Sequence, residues 1–362
     1  MYCYGEWIMF DIINNNIIPY ISGLWTLPWI LIGFVLTIIL SRLLGRKTID
    51  VLMKKIGLLI LYFFVPVLIF RIFLNTPFGQ DEINFSILVS IIIFAMYLIA
   101  YGYGRYLINN NTIAQKKKNL FIKTMLTNQG RSSAFIGSMM LAIEPLRVYA
   151  AIFMALVGIA LFAIIPFLLS HLHKKEQQKT EKNPLPWFLR LYPWYLICFV
   201  IAGIVVQIIT NQSSSALLGS EADTILRLYT AITIPAALYY VGSGIHPSDL
   251  KTSELRKLIG LDKGKETSDH WSWVRHIFLL TVIITPVLIS LIFGILYLIN
   301  LLPLTWFAVI IINAFLPVTS TNMFLLPYGI DKKSTAHVVT WTTLVCVPIV
   351  VALIALSGLY LT

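Results

Sequence analysis

Leu126-Thr127-Asn128-Gln129-Gly130-Arg131-Ser132-Ser133 and Asn313-Ala314-Phe315-Leu316-Pro317-Val318-Thr319-Ser320-Thr321-Asn322 are polar stretches set in the middle of long apolar runs. Each places glycine or proline beside amides and hydroxyls. The chain around them is strongly apolar: 58% of its 362 residues are hydrophobic and 12% are charged, with a mean hydropathy of +0.83. Soluble chains carry ~25% charged residues because their surface must face water. Half that charge predicts an integral membrane protein, and at ~20 residues per span little chain is left for a large soluble domain. A helix interrupted at membrane depth must find partners for its freed backbone within the protein or in a water-filled cavity, because lipid offers none.

Working outward, apolar runs bounded by loop signals give ten spans. They are Leu24–Leu44, Lys55–Leu74, Asn84–Gly104, Leu120–Ile143, Arg147–His171, Pro193–Thr210, Asp223–Ile245, Val274–Ile299, Pro303–Leu326 and Ser334–Leu361. The two polar stretches fall in spans four and nine. Spans two and ten contain Pro66 and Pro348, which membrane helices tolerate.

The lysines and arginines alternate with the spans. Of the 27, 23 lie in every second loop: from Arg42 to Lys55, Arg105 to Lys123, Lys174 to Arg190 and Lys251 to Arg275, and at Lys332 and Lys333. The other loops carry Asp81, Glu82, Glu144, Glu221 and Asp223, with Arg71, Arg147 and Arg227 nearby. The positive-inside rule then predicts a multi-pass protein of the cell membrane with both termini extracellular and a cytoplasmic central loop. It also accounts for the net charge of +11 without a nucleic-acid partner. The N-terminal segment lacks the basic start and cleavage site of a signal peptide. Cys3, Cys198 and Cys346 are scattered and form neither a disulfide framework nor a metal site.

This organisation reads as an extension over 1–23, a five-helix repeat over 24–171, the central loop over 172–192 and a second five-helix repeat over 193–362. Pro66 in YFFVPVLIF and Pro235 in AITIPAALYY occupy the same position in the two halves. An odd number of spans per half inverts one repeat relative to the other. The predicted fold is all-α: ten transmembrane helices in two inverted five-helix repeats, with spans four and nine as broken crossover helices.

Broken helices at matching positions in two repeats point to a transporter's substrate site. The candidate binding residues are Asn128, Gln129, Gly130, Arg131, Ser132, Pro317, Thr319, Ser320, Thr321 and Asn322. The competing reading is interhelical packing, with small and polar residues as glue. Arg131 lies eight residues beyond Lys123, ~12 Å deeper at 1.5 Å per residue, near the middle of a ~30 Å hydrocarbon core. An isolated arginine there costs ~2.5–3.5 kcal/mol, and all 16 acidic residues sit in loops, in the N-terminal segment or at helix ends. Two roles stay open for it: binding the negative group of a substrate, or capping carbonyls of the broken ninth span. His337 reads as a loop-edge residue, and His171, His173, His246, His270 and His276 show no ligand spacing. Trp25, Trp29, Trp187, Trp194, Trp271, Trp273 and Trp306 read as an interfacial belt.

Around these residues the chain resembles the auxin efflux carrier family, within the bile acid, arsenite and riboflavin transporter superfamily. Asn128-Gln129-Gly130 followed by Ile136-Gly137 is similar to its fourth-span crossover. Leu316-Pro317, Tyr328-Gly329 and Val347-Pro348-Ile349 resemble its C-terminal stretch, and the VPVLIF around Pro66 resembles its second span. The resemblance implies an elevator-like motion of a crossover domain against a scaffold domain, a homodimer, and a binding role for Asn128 and the Pro317 break. Arg131 departs from the family pattern, and so does the spacing from Pro317 to Tyr328.

The expectation is a non-enzymatic secondary transporter or facilitator for a small organic anion such as a carboxylate, embedded in the lipid bilayer and using no cofactor or metal. A sodium-coupled symporter of the bile acid type is the alternative of the same class. A multispan membrane enzyme would need a convergent histidine site, which the spacing does not offer. A non-transporting receptor stays a lesser alternative, with no sensor or signalling domain read in the sequence.

Overall fold

The structure, a computed structural model, describes residues 12–18, 28–76, 78–110, 113, 117–176, 186–245, 251–261 and 269–361. Most of the N-terminal extension, the start of span one, His246 and residues 177–185 of the central loop lie outside the described residues.

The protein is helical. The principal helices are α1 Trp29–Leu44, α2 Lys47–Leu74, α3 Gln80–Asn109, α4 Lys118–Thr127, α5 Glu144–Leu172, α6 Trp187–Thr210, α7 Ser220–Ser243, α8 His270–Leu298, α9 Leu304–Phe315 and α10 Lys332–Leu361. Among the described residues, seven of them (α2, α3, α5, α6, α7, α8 and α10) are long and apolar enough to cross a membrane. α1 and α9 are shorter apolar helices. Large side chains stand open on their outer faces, such as Ile91 and Phe94 on α3 and Ile208 and Ile209 on α6. Bilayer lipid suits that surface and water does not.

Among the principal helices, three widen into π-turns, at Ile60–Phe64 in α2, Ala160–Ile164 in α5 and Leu279–Ile284 in α8. Each precedes a proline by two residues: Pro66, Pro166 and Pro286. Proline has no N–H and its ring crowds the carbonyl four residues back. A wider turn relieves that crowding while keeping the chain helical. Pro235, paired in the sequence with Pro66, instead sits in the unwidened helix α7.

The chain forms two compact units, each drawing on both halves of the sequence. The first comprises residues 1–85, 134–155 and 194–243, and the second 86–133, 156–193 and 244–362. In the first unit α1 lies directly on α7. A Cβ added to Gly33 would come within 2.2 Å of the Tyr239 carbonyl oxygen, and one at Gly242 within 1.8 Å of the Ile30 carbonyl oxygen. A Cβ added to Gly57 would come within 2.6 Å of the Tyr240 ring. Where lipid is as apolar as leucine, close backbone approach of this kind is what binds helices together. The second unit is built around α4, whose residues from Phe121 to Thr127 are all buried. Lys123, read from the sequence as a loop residue, is buried with them, because the helix already begins at Lys118.

Gly242→Leu is expected to destabilise the detergent-purified protein by about 1–3 kcal/mol or more, measured by thermal unfolding. Gly294→Leu, at a position with open space around it, should stay within ~0.5 kcal/mol of the parent.

Candidate functional site

The second unit contains both breaks. α4 ends at Thr127, where the chain tightens: the N–H groups of Gln129 and Gly130 donate to the carbonyls of Leu126 and Thr127, at 3.1 and 3.2 Å. α9 ends at Phe315, and Pro317 cannot donate at all. The two interrupted stretches then run antiparallel and pair through a bridge between Arg131 and Val318. Ser132 N–H donates to the Pro317 carbonyl at 2.9 Å, and Thr319 N–H to the Gly130 carbonyl at 3.1 Å. Val318 N–H donates to the Thr342 hydroxyl of α10 at 3.1 Å. Each break thus supplies partners that the other would otherwise lack.

Gly130 allows this approach. A Cβ there would meet the Asn322 amide oxygen at 2.6 Å and the Leu161 side chain at 3.0 Å. Beyond the ninth-span break the chain continues as a 3-10 helix, Ser320–Tyr328, instead of an α-helix. Thr319 caps it by accepting from Thr321 N–H at 3.3 Å, and the two hydroxyls lie 2.9 Å apart. Pro327 lies within it, and Gly329 ends it in the left-handed conformation, φ +71°.

Arg131 is 3% exposed. Its Nη1 donates to the Leu316 carbonyl at 3.1 Å and the Thr281 carbonyl at 3.0 Å, and Nη2 to Gln129 Oε1 at 3.3 Å. Leu316 is the residue just past α9, so the guanidinium caps the carbonyl end of that helix. Thr281 lies in the π-turn of α8, and the residue five on, Pro286, has no N–H to offer its carbonyl. These bonds engage the two terminal nitrogens without cancelling charge. No Asp or Glu occurs between Glu82 and Glu144, or between Asp269 and Asp331.

The remaining predicted residues separate into two groups. Asn128 Nδ2 donates to the Thr124 carbonyl and to Thr335 Oγ1, at 2.7 and 3.2 Å, and Gln129 Nε2 donates to Thr285 Oγ1 at 3.4 Å. Ser132 is buried, with its backbone in the bridge. By contrast, Asn128 Oδ1, Thr127 Oγ1, Ser320 Oγ, Arg131 Nε and both amide atoms of Asn322 are buried with no hydrogen-bond partner among the described residues. Asn322 is 0% exposed. Leaving buried polar groups unpaired costs ~1–3 kcal/mol each, and such orphans are concentrated at these two breaks.

Sequence reading missed the threonines that serve the breaks: Thr281 and Thr285 on α8, Thr335 and Thr342 on α10. Their spacings of four and seven residues put each pair on one helical face, a signal available in the sequence. It also missed a cluster at the starts of α8 and α10. His270 Nδ1 lies 2.9 Å from Ser334 Oγ and 3.7 Å from Asp331 Oδ2, and Ser334 donates to the Asp331 carboxylate. The His337 ring stands 5.0 Å from that of His270. The Asp331 carboxyl is held down at about 2, chiefly by the His270 imidazole; burial opposes this and the Ser334 hydrogen bonds add to it. Its ionised form therefore stabilises the fold above the ordinary carboxylate range, a contribution lost as pH falls toward about 2. Among the described residues no group of three or more His, Cys, Asp or Glu side chains could hold a metal. A cavity of about 690 Å³ in the same unit, lined by Tyr97, Leu126, Ile159 and His171 among others, is mostly apolar and includes none of the predicted binding residues.

No protein-family model matches the chain, and no curated protein matches it. The family resemblance rests on the sequence motifs alone.

Arg131→Met, similar in length but without donors, should destabilise the purified protein by about 1–3 kcal/mol, because the Leu316 and Thr281 carbonyls lose their donor. Thermal unfolding in detergent measures this, with Arg131→Lys recovering part of the loss.

Proposed function

We propose that the chain is a secondary carrier or facilitator that moves a small organic anion, such as a carboxylate, across the membrane. The substrate would bind where the two broken helices cross. The observation that carries this reading is Asn322, fully buried beside Gly130 with both amide atoms unpartnered. A packing residue would have its amide satisfied; a binding residue keeps it for a solute. The neighbouring Arg131 contributes a positive charge that no acidic side chain offsets, and that favours an anion.

In this reading the ten spans form two inverted five-helix repeats, with the termini outside and the central loop in the cytoplasm. The division into units that each draw on both halves supports alternating access of the elevator type, in which one unit carries the site and the other is the scaffold. The family resemblance adds a homodimer. A second reading, sodium-coupled symport, is favoured by the unpartnered oxygens of Asn128, Thr127 and Asn322, since neutral oxygens suit a hard monovalent cation.

Uptake of labelled carboxylates into proteoliposomes tests both, with potential, pH and sodium gradients imposed separately. Asn322→Ala should reduce carboxylate flux about tenfold or more while the protein stays monodisperse, in line with ~1.5–3 kcal/mol for a hydrogen bond to a charged group. Flux confined to neutral solutes would overturn the anion assignment. A strict sodium requirement would favour the symporter.

A further inference from the structure

Three arginines converge on one cavity in the first unit. The cavity, of about 290 Å³, is lined by Arg71 from α2, Arg147 from α5 and Arg227 from α7, with Asn75, Thr76 and Thr230 as its neutral polar groups. Sequence reading noted these arginines only as exceptions to the charge alternation.

The neutral groups are already committed. Asn75 Nδ2 donates to the Arg71 carbonyl at 2.8 Å, and its Oδ1 accepts from Ser214 N–H at 3.0 Å. Thr76 and Thr230 both donate back into their own helices, to the carbonyls of Ile72 and Leu226. Thr230 also accepts from Arg71 Nη1 at 2.8 Å. The guanidiniums are not committed to the same extent. Arg147 is anchored only through Nε, to the Leu141 carbonyl at 3.0 Å. Arg227 is likewise anchored through Nε, to Asp223 Oδ2 at 2.7 Å. Among the described residues their terminal nitrogens have no hydrogen-bond partner and both side chains are exposed, Arg227 at 44%, whereas Arg71 Nε is buried without a partner.

Among the described residues Asp223 is the carboxylate that acts on Arg71, against three guanidiniums. Arg147 and Arg227 are both close enough to Arg71 to repel it. The excess is two positive charges, beside a wall of Leu68, Ile72, Ala231 and Ile234 whose low dielectric strengthens any field.

We propose that this cavity binds a small phosphate-class dianion. Three planar guanidinium forks match its tetrahedral oxygens, and its two negative charges balance the excess. The same chemistry could come from a soluble phosphate ester or from the headgroup of an anionic lipid.

The test uses the full chain in zwitterionic detergent, titrated calorimetrically with inorganic phosphate alone. Arg147→Gln and Arg227→Gln should each weaken phosphate binding about tenfold, and the double variant about a hundredfold, as expected for charge-assisted bonds. Arg105→Gln, which removes one positive charge from α3, should leave the affinity unchanged. If Arg71→Gln fails to fold, the Arg147 and Arg227 variants carry the test. Competition by short-chain phosphatidic acid, but not by short-chain phosphatidylcholine, would identify a lipid headgroup as the source, whereas binding of phosphate without that competition would identify a soluble ester. Absence of phosphate binding, or an affinity indifferent to the Arg147 and Arg227 double variant, overturns the proposal.

Discussion

Two hydrogen bonds, from Ser132 to Pro317 and from Thr319 to Gly130, let this chain break two helices inside an apolar domain. Unpaired backbone in lipid costs several kcal/mol per group, so neither break is tenable alone. The bridge makes them conditional on each other. It also sets what must surround them: Gly130, because a methyl group would collide with Asn322; Thr342, to receive the Val318 N–H; and Arg131, to hold the end of α9.

Arg131 illustrates how a residue whose terminal nitrogens are bonded can still be an electrostatic one. Its donors serve carbonyls at the end of α9 and in the π-turn of α8, which ties three elements of the second unit to one side chain. Carbonyl oxygens carry only partial charge, so the guanidinium's full positive charge persists in a neighbourhood without acids. Capping the end of α9 therefore leaves the charge of the group in place.

Much of this was legible in the sequence. The long apolar helices fall where hydropathy puts them, and the polar stretches of spans four and nine are interruptions, as glycine, proline and amides at depth require. What was not legible depends on approach in space. No spacing rule brings His270 next to Asp331 and Ser334, since 61 residues separate the first two. Pro66 and Pro235 look alike in sequence, yet only the first is preceded by a π-turn. Lys123 was assigned to a loop because charge in an apolar chain reads as surface, and it is buried because the helix starts one and a half turns earlier. The compact units also cut across the sequence halves, because helices choose neighbours by surface and not by chain order.

The seam between α1 and α7 has a mechanical meaning as well. Helices separated by side chains can roll or slide a little as rotamers change, much as gears with play between their teeth. At Gly33 and Gly242 there are no teeth: main chain rests on main chain, and no rotamer is available to take up a displacement. Such a joint transmits force without absorbing it, so α1 and α7 travel as one piece. Any softness within the first unit belongs to the helices that meet it through larger side chains.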